Sequence, residues 1–175
     1  VVIGQSVPLS GPAQELGIEM RLGAKLYFDH INSQGGVNGR KIKLLTLDDG
    51  YEPDRATANT RQLIDKDDVF ALFGYVGTPT CVAALPLISD AKIPFFGPFT
   101  GAEALREPFN KWVFHLRASY YDETGLIVKQ LTSLGLKKIA VFYQNDAYGK
   151  AGLEGVKRAL KPLGLEPIAL GTVER

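Results

Sequence analysis

The chain has 175 residues, of which 45% are hydrophobic and 22% charged, with a formal net charge of +1. That composition suits a folded globular protein and excludes a disordered one. The near balance of Lys and Arg against Asp and Glu excludes the strong basic field of a nucleic-acid or anionic-membrane binder.

The elements follow a repeating order in which short apolar runs alternate with stretches of helical period, the signature of βαβ units building a parallel sheet. Val1–Pro8 reads as the first strand. After Ser10-Gly11-Pro12, the residues Leu16, Met20, Gly23, Tyr27 and Ile31 recur at three and four positions, which predicts a helix with that face on the sheet. Gly35-Gly36 ends it, and Asn38-Gly39 turns the chain into a strand over Lys41–Leu47. Pro53 opens a helix running to Asp65, followed by a strand over Val69–Phe73. Thr78-Pro79-Thr80 reads as a helix start with a hydroxyl cap, and that helix runs to Ala91. Strands are then predicted over Ile93–Phe96, Trp112–Leu116, Ile139–Tyr143 and Pro167–Thr172, with helices over Asp122–Leu134 and Tyr148–Leu160. No apolar run approaches the roughly 20 residues that span a bilayer. No basic-then-apolar leader precedes Val1, so any targeting segment is expected to have been removed or to lie outside the chain.

Catalytic patterns are missing. His30 and His115 belong to no metal or catalytic motif, and both read as structural. Gly35–Lys41 lacks the phosphate-loop spacing and precedes a strand, so it reads as a turn. Ser89-Asp90-Ala91-Lys92 matches the Ser-x-x-Lys of penicillin-recognising enzymes without its companion Lys-Thr-Gly. Asp48-Asp49 lacks the further ligands a metal needs and reads as solvated or helix-capping. Cys81, the lone cysteine, excludes an intrachain disulfide and reads as a core residue. The expectation is therefore no enzyme, no metal and no cofactor.

Binding chemistry is present. In an open parallel sheet, ligands settle at the carboxyl ends of strands, beside helix N-termini with free N–H groups and positive potential. Gly74–Thr80 suits that role, because its glycines admit close backbone approach and Thr78 adds a hydroxyl. The same segment is equally read as a helix capping itself. Gly97–Gly101 is a second such loop, Tyr148-Gly149 follows a strand, and Tyr120-Tyr121 stands where the chain is expected to cross between lobes.

Together these segments resemble the type I periplasmic binding proteins of the branched-chain amino acid family. The resemblance covers the whole chain and rests on an ordered set. The set comprises Pro8–Pro12, Ile31-Asn32, Gly35–Arg40, Asp48-Asp49, Phe73-Gly74 leading to Thr78, Pro94, Pro98, Leu116-Arg117, and Ala140-Val141 before Tyr148-Gly149. It implies an α/β fold, an open and mostly parallel sheet flanked by helices in Rossmann-like lobes. Residues 1–117 would form a first lobe and residues 118–175 the start of an incomplete second one. It implies a ligand enclosed between lobes and delivered to the membrane permease of an ABC importer, in the periplasm or in an extracellular, membrane-associated setting, without nucleic acid. A ligand-sensing receptor ectodomain is the alternative.

By position, the resemblance makes Gly77 and Thr78 hold a ligand carboxylate and Phe99 offer its carbonyl to an ammonium. Thr100 and Gly101 stand where branched-chain binders carry a threonine, and Tyr148 contacts the ligand from the second lobe. Leu16 occupies a position that is tyrosine in some relatives, and Tyr51 and Gly77 occupy positions where some relatives form a disulfide. The departures at Gly101 and Leu16 point from branched-chain amino acids toward related acids or amides. Apolar surface is expected around Ile139–Phe142 and Leu153–Leu160.

Overall fold

The computed structural model describes residues 1–174. In chain order the elements are β1 (Val2–Val7), α1 (Gln14–Ser33), β2 (Lys43–Asp48), α2 (Pro53–Asp65), β3 (Ala71–Phe73) and α3 (Thr78–Ala91). There follow β4 (Phe95–Phe96), β5 (Val113–Phe114), α4 (Tyr120–Ser133), β6 (Ala140–Gln144), α5 (Ala147–Leu160) and β7 (Ala169–Val173). Every paired strand is parallel to its neighbour, in a sheet ordered β2-β1-β3-β4-β5 and a separate pair β6-β7. The expected α/β class with a parallel sheet flanked by helices is what the chain forms.

The chain divides into two compact units. The first holds Val1–Phe99 and Leu105–Leu116; the second holds Thr100–Ala104 and the chain from Arg117 onward. In the first unit, α2 and α3 pack against each other and their apolar faces meet the sheet. Leu63, Leu72, Tyr75, Cys81, Ile88 and Phe95 form the heart of that core. A core of this kind draws its stability from apolar area removed from water, at about 25 cal/mol per Å². Cys81 sits fully buried in it, as expected, and burial pushes its thiol pKa upward.

The contacting face of α1 differs from the expected one. Leu16 and Tyr27 are 50% and 63% exposed, and nothing lies near the face of Gly23. The buried positions are Gly17 and Ala24, one step round the helix. Small residues let the helix backbone approach the end of β1, and of the expected stripe Met20 still packs against Val7, Tyr51 and Val76. The stripe also lines an open apolar groove of about 760 Å³ with Phe28, Phe73, Phe96 and Phe99.

Strand limits also move. From β3 to β5 they leave little strand: β3 begins at Ala71, and β4 and β5 hold two residues each. Helix α4 starts at Tyr120, two residues early, because Ser119 and Asp122 form a reciprocal capping box. The Ser119 hydroxyl accepts the Asp122 N–H at 3.1 Å, and the Ser119 N–H donates to Asp122 Oδ2 at 3.3 Å. In the second unit Leu153 and Leu160 are buried, contrary to expectation, because α5 packs along α4. Phe142 is 74% exposed, as expected.

Candidate functional site

In the first unit, the loop leaving β3 and the loop leaving β4 are tied together. Val76 and Phe99 form a parallel bridge. The Phe99 N–H donates to the Tyr75 carbonyl at 2.8 Å, and the Gly77 N–H donates to the Phe99 carbonyl at 3.4 Å. Two of the expected site residues, Gly77 and Phe99, are thereby neighbours although far apart in sequence.

Thr78 does not cap α3. Gly77 is the N-cap, at φ +105° and ψ 143°, and Thr78 and Pro79 are the first helical residues. Only glycine adopts that cap conformation without strain, so the cap falls one residue earlier than the hydroxyl suggests. The Thr78 side chain is almost fully buried. The neighbouring Thr80 hydroxyl turns back to donate to the Val76 carbonyl at 2.6 Å. A helix end of this kind presents N–H groups and partial positive charge, which favours an anionic oxygen.

Asp48 and Asp49 close β2, and neither caps a helix; Asp48 is partly exposed, whereas Asp49 is fully buried instead of solvated. The Asp48 carboxylate accepts the Leu9 N–H at 2.7 Å, the Ser10 hydroxyl at 2.7 Å, the Gly50 N–H at 2.9 Å and the Arg55 guanidinium at 2.9 Å. It thereby pins the β1–α1 loop to the β2–α2 loop. Burial raises its pKa, but the Ser10, Leu9, Gly50 and Arg55 hydrogen bonds together outweigh burial and hold it well below the usual carboxylate range. Asp49 is fully buried and accepts the Ser6 hydroxyl at 2.7 Å and the Tyr51 N–H at 2.8 Å. Burial pushes its pKa up against those two hydrogen bonds, and the Asp48 charge adds to the rise.

The two shifts have opposite signs in stability. Asp49, raised, contributes stability that is complete below its ordinary value of 3.8 and is lost as pH rises through the folded value. Asp48, lowered, contributes stability present above 3.8 and lost as pH falls through its folded value. The denaturation midpoint should therefore rise on acidification toward about pH 4 and fall below it. Asp49→Asn should abolish the rise and Asp48→Asn the fall, as urea titrations across pH would show.

In the second unit, Thr100 is buried and its hydroxyl accepts the Ala102 N–H at 3.1 Å. The Gly101 carbonyl accepts the Tyr120 N–H at 2.7 Å, and a Cβ at this glycine would stand 2.9 Å from the Ala118 carbonyl oxygen. A threonine at position 101 would therefore require the backbone to move, which gives the glycine a packing reason. Tyr148 is 45% exposed at the start of α5, its N–H donating to the Asp146 capping carboxylate at 2.9 Å. Its ring meets Tyr120 edge-on at 5.5 Å, and the Arg117 guanidinium lies 5.1 Å from the Tyr120 ring. Arg117 also pairs with Glu123. This cluster of Arg117, Tyr120 and Tyr148 is invisible to pattern reading, because only the turn of α4 and α5 brings it together.

Among the described residues no group of three or more His, Cys, Asp or Glu is placed to hold a metal. His115 Nε2 lies 3.1 Å from the Leu105 carbonyl, and His30 Nε2 lies 3.3 Å from Gln34 Nε2 on the surface of α1. Both histidines thus have local structural settings. No helix among the described residues is long and apolar enough to cross a membrane.

A family profile described as periplasmic binding protein matches residues 1–174. The chain is similar to an amino acid binding protein of Pseudomonas aeruginosa, 29% identical over 96% of this chain and 45% of that protein. It superposes on a possible leucine/isoleucine/valine-binding protein from Rhodopirellula baltica with TM-score 0.92 and 41% identity, covering 100% of this chain and 48% of that one. A substrate-binding periplasmic protein from Ralstonia solanacearum superposes with TM-score 0.95 and 35% identity, covering 100% and 50%. The chain thus spans about half the length of the proteins it resembles. The match along its whole length, on a parallel α/β fold, places this chain in the type I periplasmic binding protein family of the leucine/isoleucine/valine-binding kind.

Proposed function

We propose that this chain serves in the solute-binding component of an ABC importer, in the periplasm, where it takes up an amino acid or a related small carboxylate or amide. The observation that carries the reading is the pairing of the α3 N-terminus at Gly77 and Thr78 with the Phe99 carbonyl. An electropositive helix end suits a carboxylate, and a carbonyl oxygen suits an ammonium. Those are the two charged groups of an amino acid. The Pseudomonas relative, an amino acid binding protein, supports this ligand class. Thr100, Gly101 and Tyr148 of the second unit are assigned to the ligand by the family resemblance alone. Delivery to a permease and periplasmic placement follow from the same resemblance.

The test is calorimetric titration of the protein at the length of its relatives with leucine, glutamine and benzoate. Thr78→Val should weaken the carboxylate ligand that binds by about 1 to 3 kcal/mol, because one oxygen loses a partner away from water. Unchanged affinity removes Thr78 from the site, and absence of binding across a full panel of amino acids, amides and aromatic acids overturns the ligand class.

A further inference from the structure

Tyr51 is held in a backbone conformation that bulky residues seldom adopt, with φ +67°. Three elements converge to keep it there. Its N–H donates to Asp49 Oδ1 at 2.8 Å, the Ser6 hydroxyl of β1 donates to Asp49 Oδ2 at 2.7 Å, and Asn59 Nδ2 of α2 donates to the Ser6 hydroxyl oxygen at 3.1 Å. An outlier that its surroundings hold this firmly points to a function for the side chain it aims.

The ring goes to one place. It is buried in a small cluster with Val7 and Val76, and its edge lies against Gly77. A Cβ on Gly77 would stand 2.5 Å from Tyr51 Cε2 and 2.8 Å from Cζ. The ring therefore occupies the space that any side chain at position 77 would need, directly behind the N-cap of α3. Gly77 has wide backbone freedom of its own; the Phe99 carbonyl accepts its N–H, and the Tyr51 ring closes off the space beside its Cα. We propose that Tyr51 is a positioning residue for the α3 N-terminus: its ring, set by the Asp49 network, fixes the Gly77–Thr78 backbone in the conformation that meets a ligand oxygen. The proposal rests on the reading of Gly77 and Thr78 as ligand contacts. A cradle ordered in advance binds more tightly, because less conformational entropy is lost on binding.

The experiment is residue-resolved amide hydrogen exchange on this chain, following Gly77, whose N–H the Phe99 carbonyl accepts, and Cys81 and Val82, the first hydrogen-bonded amides of α3, in wild type, Tyr51→Leu and Tyr51→Phe. Leucine keeps an apolar side chain among Val7 and Val76 but is too short to reach Gly77. Exchange at those three amides should quicken by about tenfold or more in Tyr51→Leu and stay near wild type in Tyr51→Phe, while amides of β1 and β2 change by less than about twofold. Equal rates in wild type and Tyr51→Leu would overturn the proposal. So would a uniform acceleration across the first unit, which marks a merely structural residue, or a Tyr51→Phe variant as labile as Tyr51→Leu. No ligand enters this measurement. If Thr78→Val proves to bind normally, the ligand contact falls, whereas the exchange rates still decide whether Tyr51 holds the helix end.

Discussion

Valine in place of Gly17 should cost the first unit about 3 kcal/mol or more, and lower its thermal midpoint by on the order of 10 °C. Even an unbranched Cβ at this position would overlap the carbonyl group of Pro8, and the Pro8 nitrogen would lie at 2.9 Å. Both partners in that overlap are backbone, so no rotamer change relieves it. Helix α1 must lift from the end of β1, and the loop that Asp48 pins through Leu9 and Ser10 must move with it. The second unit repeats the device at Gly149, where a Cβ would overlap the backbone of Gln144 at the end of β6. Gly23 provides the control, since nothing lies within 4 Å of a Cβ built there. Gly23→Ala should stabilise by up to about 1 kcal/mol through helix propensity and a less flexible unfolded chain. Thermal melts of both variants, followed by circular dichroism, decide it: a Gly17→Val midpoint within a degree or two of wild type would show that the contact is slack.

The order of strands and helices was legible because it is written locally. Pro53 at the first turn marks the start of α2, and Asp65 ends it as expected. The range of α3, Thr78–Ala91, is likewise the expected one. What local patterns cannot supply is which face of an element touches its neighbour. In α1 the period of large apolar residues was real, but the buried positions are Gly17 and Ala24, and a hydrophobic count gives small residues little weight. The short lengths of β4 and β5 had no local signal either, because a parallel strand extends only as far as its neighbours pair with it.

The candidate site divides along the same line. Gly77, Thr78 and Phe99 were visible as loop residues after strands, but the Val76–Phe99 bridge that joins them depends on the register of β3 and β4. Asp48 and Asp49 were visible as a pair, but two adjacent carboxylates give no hint that one of them, Asp49, is buried. The side-chain donor that makes burial tolerable, Ser6 for Asp49, and Asn59, which donates in turn to the Ser6 hydroxyl, lie on other elements. Tyr51 was missed for the same reason. Its left-handed backbone follows from Asp49, and its partner Gly77 is on another loop. The resemblance marked that pair only as positions where some relatives form a disulfide.

Alanine at Phe95 should be the most damaging single truncation in the core, at about 3 to 5 kcal/mol. Phe95 is fully buried at the centre of the main apolar cluster, on one of the shortest strands of the sheet. Its ring meets Tyr75 edge-on at 5.0 Å and 72°. Such a pair is worth about 0.5 to 1.5 kcal/mol beyond the area it buries. The loss also reaches the site. Tyr75 is anchored at its other end by a 3.0 Å hydrogen bond between its hydroxyl and Thr60, and its carbonyl receives the Phe99 N–H. Removing the Phe95 ring leaves a cavity on one side of Tyr75, so the loop from β3 into α3 that carries Val76, Gly77 and Thr78 loses support. Phe95→Leu, which refills most of the volume, should recover the larger part of the stability while leaving the edge-on contact unmade. Urea denaturation of wild type, Phe95→Ala and Phe95→Leu separates the two contributions. An alanine variant within about 1 kcal/mol of wild type would mean that the cluster collapses around the gap, and that Tyr75 is held by Thr60 alone.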